Sequence, residues 1–198
     1  FSSQNFLAQE KKIEIISANS LDKDELLFPD ANILKGSPNK QVHLRHDEMD
    51  IFSNNAIFFQ RKNKFIATGD VFLKQGDSLE LKCDSLNYDG KIKKFFSYGK
   101  VYLINNKTTL NSNELLYDRK KNVASFFNGG NIIDSLTTIQ SKRGDYLLEI
   151  DKYKFRNDIT ITNPDYIIES ESLDYIVGQE KTYFINSTKI TGDSYQIT

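Results

Sequence analysis

Apolar and polar residues alternate with a period of two in several short segments of this chain. The clearest segments are 99–103 and 155–161. Such alternation is typical of a β-strand with one buried face. Turn-forming residues separate the segments, as in Asp89-Gly90-Lys91 and in the run from Asp118 to Asn122. The pattern therefore predicts many strands joined by tight turns.

The stretch Leu81–Asp89 returns along the chain at an interval of 29 residues. Looser copies begin at Ile16 and Phe52, which gives six copies in all, starting near 16, 52, 81, 110, 139 and 168. Repetition of one supersecondary unit indicates a stacked architecture. Three columns keep the interval in the last four copies: Leu81/Leu110/Ile139/Ile168, Cys83/Ser112/Ser141/Ser170 and Tyr88/Tyr117/Tyr146/Tyr175. The copy at 52 is aligned to these columns through Phe52, Asn54, Ile57 and Phe59.

The repeated stretch contains a change of parity. The pairs Leu81/Cys83 and Leu86/Tyr88 lie at odd and even positions, so a regular strand would point them to opposite faces. A bulge or corner between the pairs would bring all four side chains to one side. We therefore predict that the strands bend at equal intervals and that the sheet folds over on itself. The predicted bends lie near Asn19, Asn55, Asp84 and Asn113.

These patterns predict an all-β fold of stacked antiparallel strand repeats, about 29 residues each, that share one core and stay open at both ends. Residues 13–198 are interpreted as a single domain of six repeats, preceded by a flexible segment, 1–12. A right-handed β-helix is the alternative. Two strong strand segments per repeat argue against it, because a β-helix rung has about three.

Composition excludes several functions. Lys and Arg total 26 against 27 Asp and Glu, so no electrostatic attraction to nucleic acid is expected. A single Cys rules out an intrachain disulfide framework. No apolar run reaches the length of a membrane span. The chain begins at Phe1 without Met, as after removal of a signal peptide, and its pattern stops midway at Tyr195–Thr198, as in a fragment or in an end that a partner extends.

Candidate chemistry is sparse. The run from His43 to Glu48 holds both histidines, but residues three apart on a strand face opposite sides, so an exposed strand or turn is favoured over a metal site. Cys83 stands in a column of small residues, which indicates packing rather than nucleophilic catalysis. Asp89 and Asp118 are interpreted as turn residues. We expect no enzyme, no cofactor and no metal.

The repeated residues resemble the OstA/LptA family of lipopolysaccharide transport proteins. The resemblance rests on the segments Ile13–Leu21, Phe65–Asp77 and Leu79–Asp89, and it extends over residues 13–190. Cys83 replaces the family's usual Ala, and Ala67 and Ser97 replace a Phe that stands two residues before Gly. The Asn-, Ile- and Lys-rich composition is similar to that of OstA-like proteins from Bacteroidota-type bacteria.

The resemblance implies an elongated, twisted β-jellyroll in the periplasm, whose open, V-shaped interior holds the acyl chains of lipid A. It also implies partners. These are lipopolysaccharide and other transport proteins with the same jellyroll, joined edge to edge at the termini as a bridge to the outer membrane, with a head-to-tail homo-oligomer as one arrangement.

The residues expected to line a lipid-binding groove are those with inward parity in the repeats. A closed core filled by the same side chains, as in a structural scaffold or adhesin without a ligand, is the competing interpretation. The groove candidates are Leu86, Tyr88, Val101, Leu103, Leu115, Tyr117, Phe127, Ile132, Phe155, Ile159, Ile161 and Tyr175.

Overall fold

The computed structural model describes residues 11–105, 108–134, 136–179 and 181–197. Over these ranges the chain forms nineteen strands and two short 3-10 turns, Leu148–Ile150 and Val177–Gln179. The strands belong to one sheet, and each recorded pairing is antiparallel. The all-β prediction is confirmed for the described residues. The β-helix alternative is wrong, because a β-helix is built from parallel ladders.

The sheet folds along its middle into two walls. Six long strands run through both walls: β7 (Lys64–Gln75), β8 (Leu79–Asp89), β9 (Lys94–Asn105), β10 (Thr108–Asp118), β15 (Lys152–Asn163) and β16 (Tyr166–Ile176). The first wall also contains β1 (Glu14–Ser17), β4 (Val42–His46), β5 (Met49–Ser53), β12 (Gly130–Asp134), β13 (Thr137–Ser141), β18 (Thr188–Gly192) and β19 (Gln196–Ile197). The second wall also contains β2 (Ser20–Asp22), β3 (Asn32–Lys35), β6 (Asn55–Phe59), β11 (Val123–Phe126), β14 (Arg143–Leu147) and β17 (Lys181–Phe184).

The corner between the walls is built from bulges and strand breaks. At the corner, β7 and β9 each have one residue more than the segment of β8 that they pair with. The extra residues lie at Gly69-Asp70 in β7 and at Gly99-Lys100 in β9. Gly69 and Gly99 have φ values of 77° and 71°, which glycine adopts without strain. The bends predicted near Asn19, Asn55, Asp84 and Asn113 are confirmed, since each position lies at or directly beside a strand break or register shift.

Aliphatic residues form an unbroken row across the inner face of the first wall. Every neighbouring pair in the row is a direct cross-strand pair, so the side chains follow one another from the first strand to the last. The row runs Ile15, Leu44, Ile51, Leu73, Leu81, Leu103, Leu110, Ile132, Ile139, Ile161, Ile168, Ile190 and Ile197.

A row that is aromatic except at Ala124 faces it from the second wall. The tyrosines of the repeat lie in this row, interleaved with residues from the intervening strands. Tyr146 stacks on Tyr153 with ring centroids 4.0 Å apart, and Phe95 lies 5.1 Å from Tyr117. The row runs Phe58, Phe65, Tyr88, Phe95, Tyr117, Ala124, Tyr146, Tyr153 and Tyr175.

The column of small residues has a further role at the corner. Cys83, Ser112, Ser141 and Ser170 each donate a hydrogen bond to the carbonyl oxygen two residues further along the chain. Ser53 makes the same bond to the carbonyl of Asn55. The column therefore holds the local backbone at the bend, in addition to packing there.

The alignment of the copy near 52 was wrong by one residue. Ile51, Ser53, Ala56 and Phe58 are the buried residues, and the apolar residues chosen from the sequence face outward. Ser53 precedes Cys83 by 30 residues rather than 29, so the fixed interval fails at this point. Residues 1–10 of the segment predicted to be flexible lie outside the described residues, and the single domain of six repeats stays a prediction.

Candidate functional site

Eleven of the twelve groove candidates face the interior and are buried. They alternate with outward residues along their strands, as the period of two predicts. The eleven are Leu86, Tyr88, Val101, Leu103, Leu115, Tyr117, Ile132, Phe155, Ile159, Ile161 and Tyr175.

Phe127 does not belong to this set, and its assignment was wrong. It is 43% exposed on the outer surface, whereas its neighbour Phe126 is 1% exposed and points inward. Strand β11 ends at Phe126, so the chain has already turned at the corner when it reaches Phe127. The Phe126 ring lies against Gly130 and Gly144, where a Cβ atom would be within 3 Å of the ring.

The free margins of the two walls meet along a seam in the N-terminal half of the molecule. His46, at the end of β4 in the first wall, is 1% exposed. Its Nδ1 lies 2.6 Å from the hydroxyl of Tyr88 in the second wall, and its Nε2 lies 3.0 Å from the carbonyl oxygen of Lys11. A carbonyl only accepts hydrogen bonds, so Nε2 carries the proton and Nδ1 accepts from Tyr88. The geometry therefore fits a neutral imidazole.

Arg119, in the turn after β10, is the centre of the seam. Its guanidinium donates to the Tyr88 hydroxyl at 2.7 Å, to Oε1 of Gln75 at 2.8 Å and to the carbonyl oxygen of His46 at 3.4 Å. Asp47 lies 3.9 Å from the same guanidinium and accepts a hydrogen bond of 2.7 Å from Lys93. We call these six residues, His46, Asp47, Gln75, Tyr88, Lys93 and Arg119, the latch.

Burial sets the electrostatics of the latch. It lowers the pKa of His46, which favours the neutral ring, and the nearby cations Arg119 and Lys93 lower it further. It also raises the pKa of Tyr88 to about 12, although Arg119 acts in the opposite direction. Burial raises the pKa of Asp47 as well, but the hydrogen bond from Lys93 and the neighbouring positive charges leave that pKa below its usual value.

A contact with uncharged donors closes the next part of the seam. Nδ2 of Asn105, the last residue of β9, donates to the Tyr146 hydroxyl at 2.5 Å, and that hydroxyl donates to Asp151 at 2.6 Å. Neither of these two bonds in the described part of the chain involves a cation. Near Tyr88 the seam is therefore held by charged donors, and near Tyr146 it is held by uncharged ones.

The seam is open in the C-terminal half. A cavity of ≈ 510 Å³ reaches the interior between the two walls. Four of its lining residues, Ile139, Ile161, Ile168 and Tyr175, belong to the inner rows. We call this cavity the mouth; it is lined by Leu136, Thr137, Ile139, Ile161, Asn163, Tyr166, Ile168, Tyr175, Thr182 and Phe184.

A cleft of similar volume lies on the outer side of the corner and has a different character. Tyr102, Asn111, Asn131 and Gln140 contribute to its walls, together with ionic groups such as Lys142. The position of the mouth, and not the polarity of its lining, distinguishes it from this cleft. The mouth is bordered by members of the inner rows, Ile139, Ile161, Ile168 and Tyr175, whereas the cleft lies outside the corner.

The sequence interpretation missed the latch. It assigned residues 43–48 to an exposed strand or turn. The prediction that the two histidines face opposite sides is correct, since His43 pairs with Asp50 at 2.6 Å outside while His46 is buried inside. Arg119 and Lys93 lie in turns, where no periodic pattern marks an inward side chain.

The described residues contain no group of three or more His, Cys, Asp and Glu side chains placed to hold a metal ion. They also contain no helix that is long and apolar enough to cross a membrane.

Comparison with known proteins gives the family. A sequence model described as "OstA-like protein" matches residues 10–171. The chain belongs to the OstA-like family. Among solved structures, it is similar to LptH from Pseudomonas aeruginosa, described as the LptA-homologous periplasmic component of the lipopolysaccharide transport device. The two share 14% identity with a TM-score of 0.50, and the match covers 55% of this chain and 82% of LptH. This likeness concerns the fold. No curated protein matches the chain.

Proposed function

We propose that this OstA-like protein carries lipopolysaccharide through the periplasm by holding the acyl chains of lipid A between its two walls. The observation that supports the proposal most directly is the unbroken inner row of aliphatic side chains, of which Ile139, Ile161 and Ile168 border the open mouth. Family membership and the fold shared with LptH point in the same direction. The function is that of a carrier, not an enzyme.

The physical basis is the transfer of acyl chains from water to an apolar surface, which contributes about 0.8 kcal/mol per buried methylene. Successive members of the aliphatic row, such as Leu103, Leu110 and Ile132, offer nearly equivalent surroundings. Wherever the walls stand far enough apart to admit it, an acyl chain can then move along the row without passing a polar side chain. Direction has to come from an energy source outside this protein, such as an ATP-driven extractor.

The strand edges fit an end-to-end bridge. In the described part of the chain, β1 and β2 pair on one side alone, and so do β17 and β19. At these edges inward apolar side chains stay exposed, for example Leu21 at one end and Ile197 at the other. A jellyroll with the same walls, either another transport protein or a second copy of this chain, would extend both the sheet and the row.

A ligand-free scaffold is the second candidate, and one observation favours it. In the N-terminal half the inward side chains pack against one another and the seam is closed, as in an ordinary core.

Site-specific photo-crosslinking separates the two candidates. A photoreactive amino acid is introduced at Ile161 in the mouth or at Leu103 in the row, and the protein is exposed to lipopolysaccharide. The control position is Tyr102, which neighbours Leu103 on β9 but faces outward. We expect adducts from the inward positions above the control. If inward and outward positions give the same background, the carrier function is wrong.

A further inference from the structure

The latch and the mouth divide the interior into two parts with different access. Beside Tyr88 the walls are joined by charged and hydrogen-bonded groups, beside Tyr146 by uncharged donors, and beside Tyr175 a cavity lies between them. These three residues belong to the tyrosine column of the repeat. Along this column the junction of the walls changes from ionic groups at Tyr88 to uncharged donors at Tyr146 and to a cavity at Tyr175.

The chemistry of the latch differs from that of a permanent closure. Enclosing charged groups is costly, and apolar residues of similar volume often join two surfaces at least as well. Charged and polar groups have another property: when the walls separate, water solvates each of them. Opening a seam held by Arg119 and Asp47 therefore exposes far less apolar surface at the margin than opening a seam of leucines.

The interior beneath the latch has no free space for an acyl chain. Under the latch, Leu73 and Leu81 are 0% exposed and belong to one packed cluster with Phe65 and Tyr88. An acyl chain can enter this part of the row only if the walls move apart, because close-packed interiors have no room for an added chain. At the mouth, Ile161 already borders a cavity.

We propose that the latch is a gate for the N-terminal half of the interior: lipid chains enter sideways at the mouth and advance under the latch only when the seam opens. This inference rests on the proposed function, since it concerns how the same interior is filled. Only molecules with an open latch can bind lipid in the N-terminal half. The apparent affinity of that half is therefore the intrinsic affinity multiplied by the fraction of molecules that are open.

The test uses the full chain with lipid A in detergent micelles and a photoreactive amino acid either at Ile161 or at Leu81. Three backgrounds are compared. The first is wild type. The second is Arg119→Met, which removes the guanidinium charge from the latch. The hydrogen bond between Lys93 and Asp47 and the one between Tyr88 and His46 remain. The third is Arg61→Met, a matched control whose side chain is 85% exposed and pairs with Asp30 at 3.3 Å outside the seam.

In wild type and in Arg61→Met we expect adducts from Ile161 to exceed those from Leu81. In Arg119→Met the yield from Leu81 should rise about three- to tenfold while the yield from Ile161 stays the same. Hydrogen exchange without lipid should show faster exchange of residues 46–48 and 119–122 in Arg119→Met alone. If Arg119→Met does not fold, Lys93→Met provides a second way to weaken the latch.

Two other results are decisive. Adducts from Ile161 with equal Leu81 yields in all three backgrounds would overturn the gate and leave the carrier function intact. An absence of adducts from both positions in every background would overturn the carrier function, and the gate with it.

Discussion

The hydroxyl of Tyr88 and Nδ1 of His46 lie 2.6 Å apart, although 42 residues separate them in the chain. Tyr88 belongs to the repeated stretch and is inward for the reason that the repeat predicts. His46 comes from a hairpin end that carries no such pattern. The bond between them joins the margins of two walls, so the closure of the interior depends on contacts that the repeat does not encode.

The first prediction concerns the pH dependence of this contact. Because burial lowers the pKa of His46 below 6.5, the unfolded chain binds the proton first as the pH falls. The folded state should therefore lose stability as the pH falls from about 6.5, whereas His46 contributes no slope above that range. Urea unfolding between pH 5 and pH 8 measures this, with the expectation that His46→Gln has a shallower slope than wild type.

A second effect sets in at lower pH. Asp47 also has a lowered pKa, so its stabilising contribution is lost only as the pH falls below about 4, well under the range assigned to His46. Measurements restricted to pH 5–8 keep the two effects apart. Equal slopes for wild type and His46→Gln in that range would show that His46 is not the group responsible.

The second prediction concerns the corner. Gly99 has φ +71°, and a Cβ atom added there would lie 2.9 Å from the Cβ of Asp84. Gly99→Ala should cost about 2–4 kcal/mol, from the left-handed conformation and the collision together. Gly76 has φ +60° with nothing within 4 Å, so Gly76→Ala is the matched control and should cost about 1 kcal/mol. Urea denaturation gives both values, and similar losses would mean that the contact with Asp84 relaxes easily.

The fold could be predicted from the sequence because a period of two and a repeat interval act together. Leu81, Leu110, Ile139 and Ile168 recur at one interval, and the structure places all four in the aliphatic row. The parity change beside Asp84 correctly located the corner, because a bulge is the simplest way to keep both pairs of apolar residues inside.

The errors have local causes. Near 52 the chain contains apolar residues on both faces, so alternation does not separate the outward Phe52 from the inward Ile51. At 127 the strand had already ended, and alternation no longer assigned a side to Phe127. The latch could not be predicted from the sequence. Arg119 lies in a turn without periodicity and contacts Gln75 and His46, which precede it by 44 and 73 positions.

The third prediction tests the corrected assignment of inward residues. Phe155 is 0% exposed, whereas Phe127 is 43% exposed. Phe155→Ala should destabilise the protein by about 3–5 kcal/mol, because it leaves a cavity in the close-packed interior. Phe127→Ala, the same substitution on the outer surface, should cost at most about 0.5 kcal/mol. Thermal or urea unfolding compares the two variants. A large loss of stability for Phe127→Ala would show that Phe127 packs in the interior after all.

The last prediction concerns Cys83. Burial raises the pKa of its thiol to about 12, so almost no thiolate forms at pH 8. We expect the native protein to resist a thiol reagent such as a disulfide dye at pH 8 and to react once it is unfolded in urea. Rapid reaction of the folded protein would show that the corner opens on the time scale of the assay.

Substitution at Cys83 then separates its hydrogen bond from its size. Its Sγ donates to the carbonyl oxygen of Ser85 at 3.2 Å, and Ser112 and Ser141 make the corresponding bond from a hydroxyl. Cys83→Ser should therefore keep the bond and change the free energy of unfolding by less than about 1 kcal/mol, whereas Cys83→Ala loses the bond and should cost about 1 kcal/mol or more. If Ser is the more damaging substitution, the small residues of this column serve packing alone, and the hydrogen bond to the carbonyl two residues further along does not hold the bend.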